Sequence, residues 1–375
     1  MKIPPFCPNP ECKHHEIPQD EAWFAYRGFY FIKQKTVRIQ RFSCKTCGKS
    51  FGTRTFDVDY WTRKSLSYRK LSAFLSSSMS IRSLARNFGC STGTIQNRIS
   101  RLARQCLAVN ALIAPAVRLK EDCAADGFES FIVSQYFPNN FTIAVGSGSQ
   151  FVYALSYAQL RRKGRMTQHQ KKTAALYKRL YPLPGNQITR SFSEITERVG
   201  SLLLASKLDR FVFATDEKRE YRGPIRELAY LLRWKVKEFV HLTVSSSRIR
   251  DRENPLFPVN YMDREFRKDL AEHRRETVCF GRNTNCTMER MTVYLFYHNY
   301  LKPFRINPEE RVYETHAAAA GIEPGRYRRS MRGMYRKRHF LGRIRLGGTE
   351  ELVWRRAMIT PKKSKMSYCP AYVTS

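Results

Sequence analysis

Two closely spaced cysteine pairs constrain this chain more than any other feature. Four residues separate Cys7 from Cys12, two separate Cys44 from Cys47, and 31 residues lie between the pairs. Zinc takes four soft ligands in a tetrahedron, and two tight turns that each carry a thiolate pair supply them. In Cys44-Lys45-Thr46-Cys47-Gly48-Lys49-Ser50-Phe51, Gly48 permits the knuckle and Phe51 covers the metal. His14 or His15 in place of Cys12, and a redox Cys-x-x-Cys, are the alternatives. Trp23-Phe24-Ala25-Tyr26, Phe29-Tyr30-Phe31-Ile32 and the alternating Val37-Arg38-Ile39-Gln40-Arg41-Phe42 read as short strands. Residues 1–58 are therefore expected to form a zinc ribbon. Four thiolates leave no open coordination position, so its Zn²⁺ is expected to be structural.

Charge comes next. The chain carries 67 Lys+Arg against 32 Asp+Glu, a net charge of +35 over 375 residues. With 42% hydrophobic and 13% aromatic residues it is not a disordered polycation. Such a surplus calls for an anionic partner, nucleic acid first and a membrane surface second. The membrane is disfavoured, because no apolar run reaches the ~18 residues of a spanning helix and the basic residues spread along the whole chain. Met1-Lys2-Ile3-Pro4-Pro5 lacks the apolar stretch of a secretory signal, which points to a cytoplasmic, nucleoid-associated protein.

Residues 59–112 change to a helical period. Ile81, Leu84, Ala85 and Phe88 form one apolar face, Gly89-Cys90-Ser91 is a turn, and Ile95, Ile99 and Leu102 face inward on a second helix. The pattern reads as a helix-turn-helix, with Thr94, Gln96, Asn97, Arg98 and Arg101 outward to meet bases and phosphates. Lys64, Arg69 and Lys70 before it are phosphate contacts or a solvated face. A helical hairpin within a linker is the plain alternative. Strand-like and helical segments then alternate over 118–305, which indicates an α/β domain. Residues 306–375 read as a basic extension, either a clamp on DNA or a solvated tail. The fold class expected is thus multidomain α/β.

A chain so basic has few acids to spare. Asp126 opens the first strand of the α/β region, and Asp216 closes the apolar run Phe211-Val212-Phe213-Ala214. Two aspartates on neighbouring strands can hold a Mg²⁺ ion that relieves their repulsion.

These residues, with Leu160-Arg161-Arg162-Lys163-Gly164-Arg165-Met166-Thr167, Asn254-Pro255-Leu256-Phe257-Pro258-Val259-Asn260, the run Arg267–Thr277, His298-Asn299-Tyr300 and Thr315-His316-Ala317-Ala318-Ala319-Ala320-Gly321, carry a resemblance. The chain resembles bacterial insertion-sequence transposases of the DDE type over about residues 1–322. The resemblance implies an RNase H-like mixed-sheet catalytic domain using Mg²⁺ or Mn²⁺ for DNA strand cleavage and strand transfer. It implies double-stranded DNA as partner, both element ends and target, and a homo-oligomer on that DNA. Asp126 becomes the first acid and Asp216 the second. The third position aligns with Asn260 on a helix beginning near Val259, with Asp263 one turn later assisting, and Glu289 as the further candidate. Salt bridges to Arg267 or Arg290 are the ordinary roles for Asp263 and Glu289. Arg267, Arg274 and Arg275 are expected at the flanking phosphates. Two other classes compete with this expectation. One is a non-catalytic DNA-binding regulator with a decayed nuclease fold, and the weaker one is an RNA-binding protein.

Overall fold

A computed structural model describes residues 3–16, 22–32, 37–310, 312–342, 344–363 and 367–369. The N-terminal unit is a three-stranded antiparallel sheet of β1 (Phe24–Ile32), β2 (Val37–Cys44) and β3 (Ser50–Gly52), in that order. What reads as two strands in the sequence is one. Gly28, at φ +73°, absorbs an extra residue where the pairing shifts between Tyr26 and Phe29. Trp23, Phe42, Phe51, Cys7, Cys12 and Cys44 fill its small core.

Three helices follow: α1 (Tyr68–Leu75), α2 (Ile81–Asn87) and α3 (Thr92–Ile113). Ser80 and Ser91 cap α2 and α3 by accepting the amides of Ser83 and Thr94 at 3.2 and 3.1 Å. Gly89 turns between them at φ +55°. Helix α3 continues well past the expected hairpin, with 14 buried residues along its length. Leu71, Leu84, Ile95 and Ile99 belong to one apolar cluster with Phe211, Phe213, Tyr300, Tyr327 and Phe340. The packing thus runs across the boundaries expected near residues 112 and 305.

The central sheet comprises β4 (Cys123–Phe131), β5 (Pro138–Gly146), β6 (Val152–Gln159), β7 (Arg210–Asp216) and β8 (Glu238–Val244). Between β6 and β7 lie α4 (Gln168–Leu180) and α5 (Gln187–Leu204), and α6 (Arg222–Leu232) connects β7 to β8. The spatial order is β6-β5-β4-β7-β8. The first three strands form an antiparallel meander, while β7 and β8 run parallel to β4. Asp126 does not open β4 but lies fourth in it, paired with Ile143. Ala124 and Ala125, too small to signal a strand, are fully buried there.

Beyond the sheet come α7 (Phe257–Asp269), which packs against β4 and β5, α8 (Thr284–Tyr300), α9 (His316–Ala319), α10 (Pro324–Ser330) and α11 (Gly348–Arg355). Part of the basic C-terminal region, over residues 327–353, is packed into the fold and is not a solvated tail. Gln105 of α3 donates to the carbonyls of Met334 and Lys337 at 2.7 and 2.6 Å, and Arg104 donates to that of Trp354 at 2.9 Å. Tyr327, Met334, Phe340 and Val353 are buried. Residues 311, 343, 364–366 and 370–375 of the expected extension lie outside the described residues. Among the described residues no helix is long and apolar enough to cross a membrane.

Candidate active site

Register brings the two expected acids together. Ala125 of β4 pairs with Thr215 of parallel β7, so Asp126 and Asp216 are the next neighbours along the two strands. Lys218, just past β7, closes the pair: its Nζ lies 2.9 Å from Asp126 Oδ1 and 3.0 Å from Asp216 Oδ2. Its backbone N–H also donates to Asp216 Oδ1 at 3.2 Å. Tyr221, buried and stacked on Phe192 at 3.8 Å, directs its hydroxyl toward Asp126 Oδ1 at 3.5 Å. The Gly127 N–H donates to Asp126 Oδ1 at 2.6 Å. A side chain at Gly127 would collide with Asn140, whose amide nitrogen lies 2.1 Å from the position of a Cβ. Any larger residue there would have to displace the buried Asn140 side chain beside the acid.

Electrostatics define the cluster further. Burial and the charge of Asp126 push the Asp216 carboxyl up, against the pull of Lys218. Burial, then again the charge of Asp126, pushes Asp263 up to about 7, opposed by Arg267, Arg250 and Lys218. Asp263 on α7 therefore stands within the field of the Asp126 carboxylate. Asn260 lies one turn earlier on α7, on the same face as Asp263. Arg267, one turn later, holds its guanidinium 4.9 Å from the Phe128 ring centre. Arg274 and Arg275 are exposed. Among the described residues, Asp263 has no ion pair with Arg267.

Glu289 is occupied elsewhere. It is almost fully buried on α8, with Oε1 bonded to Arg356 at 2.5 Å and Oε2 accepting from Gln96 at 3.0 Å. Its neighbour Arg290 pairs instead with Glu272 at 2.6 Å. Both Glu289 oxygens thus tie α8 to α3 and to the C-terminal region.

The helix-turn-helix face differs from its expectation. Arg98 and Arg101 are not outward but 4% and 3% exposed. Arg98 donates to the Lys64 carbonyl at 2.6 Å and Arg101 to that of Val58 at 3.0 Å. Asn97 Oδ1 accepts from both guanidiniums, at 2.7 and 3.3 Å. Thr94 bonds to the capping Ser91 at 3.0 Å, and Gln96 is held by Glu289. The cause is packing: the segment between the ribbon and α1 lies against α3, and Arg98 and Arg101 satisfy its carbonyls. Arg63, Lys64, Arg69, Lys70, Arg82 and Arg86 are the exposed bases of this unit.

The four cysteines meet as expected. Their sulfurs all lie within 4.8 Å of one another, with Cys7–Cys47 at 3.6 Å and Cys12–Cys44 at 3.7 Å. Zinc–sulfur bonds of ~2.3 Å imply tetrahedral edges of roughly 3.8 Å, so this group can bind a structural zinc. Neither histidine replaces a cysteine. His15 Nδ1 is 2.8 Å from the Cys7 carbonyl, and His14 Nε2 is 3.0 Å from Thr46 Oγ1.

No protein-family model matches the chain, and no curated protein matches it.

Proposed function

We propose that this chain is a DDE-type DNA transposase, binding element ends and carrying out metal-dependent cleavage and strand transfer. The observation that carries the reading is the convergence of Asp126 and Asp216 on one cation, here the Lys218 ammonium. The strand order and directions support an RNase H-like sheet, with the first acid on the central strand and the second at the end of the adjacent parallel one. A four-cysteine group, a run of helices and a five-stranded mixed sheet follow one another along the chain, in the order the resemblance implies for ribbon, helix-turn-helix and catalytic domain.

The donor set suits a hard divalent cation, since carboxylate oxygens already share a positive charge there. Asp126 and Asp216 would hold Mg²⁺ or Mn²⁺, with Asp263 and Asn260 as the further oxygen donors from α7. When bound there, a divalent ion would supply Lewis-acid activation of an attacking oxygen and charge stabilisation of the leaving one. The protein's own part is positioning. Tyr221 and the Gly127 amide fix the Asp126 carboxylate, and the Lys218 ammonium, if displaced from between the acids, would be available to pair with a DNA phosphate. Arg267, with the exposed Arg274 and Arg275, would bind flanking phosphates of double-stranded DNA.

The same ammonium favours a second reading, a DNA-binding regulator whose acid pair is neutralised by Lys218. End-labelled DNA incubated with Mg²⁺ or Mn²⁺ separates the two. The transposase reading expects nicked and joined products that vanish on chelation of the divalent ion. It also expects them to vanish in Asp126→Asn and Asp216→Asn while DNA binding persists. Products retained in either variant, or none with the natural chain and its element ends, favour the regulator.

A further inference from the structure

The ribbon presents a surface that the catalytic reading leaves unused. Strand β1 is an edge strand, and six consecutive residues from Tyr26 to Phe31 are exposed. Four are aromatic: Tyr26, Phe29, Tyr30 and Phe31, with Phe31 at 68% exposure. Large rings are normally withdrawn from water, and a contiguous exposed group of them marks a contact surface. Register past the Gly28 bulge sets Phe29 beside Gln40 and Phe31 beside Arg38. Those four side chains therefore share one face of the hairpin. The Arg38 guanidinium covers the Phe29 ring at 3.4 Å.

Charge identifies the occupant. Residues 22–56 contain eight Lys or Arg and no Asp or Glu. Arg27, Arg38, Arg41, Lys45 and Lys49 of the ribbon are exposed, and Arg38 lies against the Phe29 ring. A second copy docked edge to edge would set these cations against their own counterparts, so self-association does not suit the patch. A polyanion does. Duplex DNA offers phosphates but keeps its base faces stacked inside. Single-stranded nucleic acid offers both phosphates and open base faces, and every base can stack on an aromatic ring.

We propose that the β1–β2 hairpin of the ribbon is a binding platform for single-stranded nucleic acid, with bases stacked on Phe29 and Phe31 and phosphates held by Arg38 and Arg27. The platform goes beyond the catalytic reading and stands without it.

The test uses the full, zinc-loaded chain and fluorescence anisotropy with labelled oligothymidylate and with a blunt duplex of equal phosphate number. The Phe29→Ala/Phe31→Ala double variant should bind the single strand at least about tenfold more weakly. Duplex affinity should change less than about twofold. Phe29→Trp/Phe31→Trp keeps the ring faces and should bind the single strand as the natural chain does. Unchanged single-strand affinity in the alanine variant overturns the proposal, as does an equal loss on both DNAs or a tryptophan variant that fails to bind. Conversion of a dimer to a monomer in sedimentation of the alanine variant, with single-strand affinity intact, would instead make the patch an interface between copies.

Discussion

Replacing Lys218 by Met tests the acid pair without touching either acid. In the natural protein one ammonium serves two carboxylates, with the three side chains 28%, 26% and 21% exposed. Removing one partner of a fully buried ion pair costs about 3–5 kcal/mol, whereas exposed pairs contribute about 0–1 kcal/mol. At this intermediate exposure the loss should be about 2 kcal/mol at pH 8, or about 2–3 °C in the melting temperature of a chain of this size. The sign with pH follows from the acids. Asp216 already sits above its usual range, and loss of the ammonium raises it further. A carboxyl whose folded pKa exceeds its unfolded one destabilises increasingly as pH rises from about 4 through the folded value. The melting difference between Lys218→Met and the natural chain should therefore nearly vanish at pH 4 and be full at pH 8. Millimolar Mn²⁺ should restore most of it by supplying the missing positive charge. The assay is differential scanning fluorimetry across pH, with and without Mn²⁺. A pH-independent loss, or one that Mn²⁺ leaves unchanged, would refute the argument that Lys218 stands where a divalent ion belongs.

Other perturbations separate structural acids from the candidate catalytic ones. Glu289→Ala leaves Arg356 without its buried partner and should cost about 3–5 kcal/mol in denaturant unfolding, with divalent-ion binding intact. Asp263 is held up to about 7, so natural stability should fall as pH rises from about 4 to about 7. Asp263→Asn should flatten that slope in urea titrations. Cys44→Ser should abolish stoichiometric zinc by atomic emission and make the ribbon protease-sensitive, while Asp126 and Asp216 still bind Mn²⁺. His298 and His316 stack at 4.0 Å and are both held below the usual histidine range by burial. Because they must charge on unfolding, stability should drop as pH falls below about 6.5, and His316→Phe should blunt that drop.

How far the sequence could be read depended on whether a signal was local. The cysteine pairs are local chelates, and their four sulfurs meet as spacing implies. Asp126 and Asp216 were legible because each is a rare acid beside a strand-like run, and parallel pairing of β4 with β7 then joins them. Lys218 carried no such mark among 67 basic residues, and only the register of the two strands shows its place. Arg98 and Arg101 misled for the opposite reason. Arginines on a helix after a turn look alike whether they face DNA or the carbonyls of Lys64 and Val58. Glu289 likewise gave no hint of Arg356, 67 residues away. The C-terminal region read as a tail because its buried residues, Tyr327, Phe340 and Val353, are scattered among arginines. Their partners on α3 and α8 lie far upstream.

Anomalous diffraction from crystals soaked in Mn²⁺ bears on the acid pair most directly. A manganese peak bonded to oxygens of both Asp126 and Asp216 is expected, with the Lys218 ammonium displaced, and no such peak in Asp216→Asn. A difference map that leaves Lys218 in place between the two carboxylates, with no manganese beside them at saturating concentration, would contradict it.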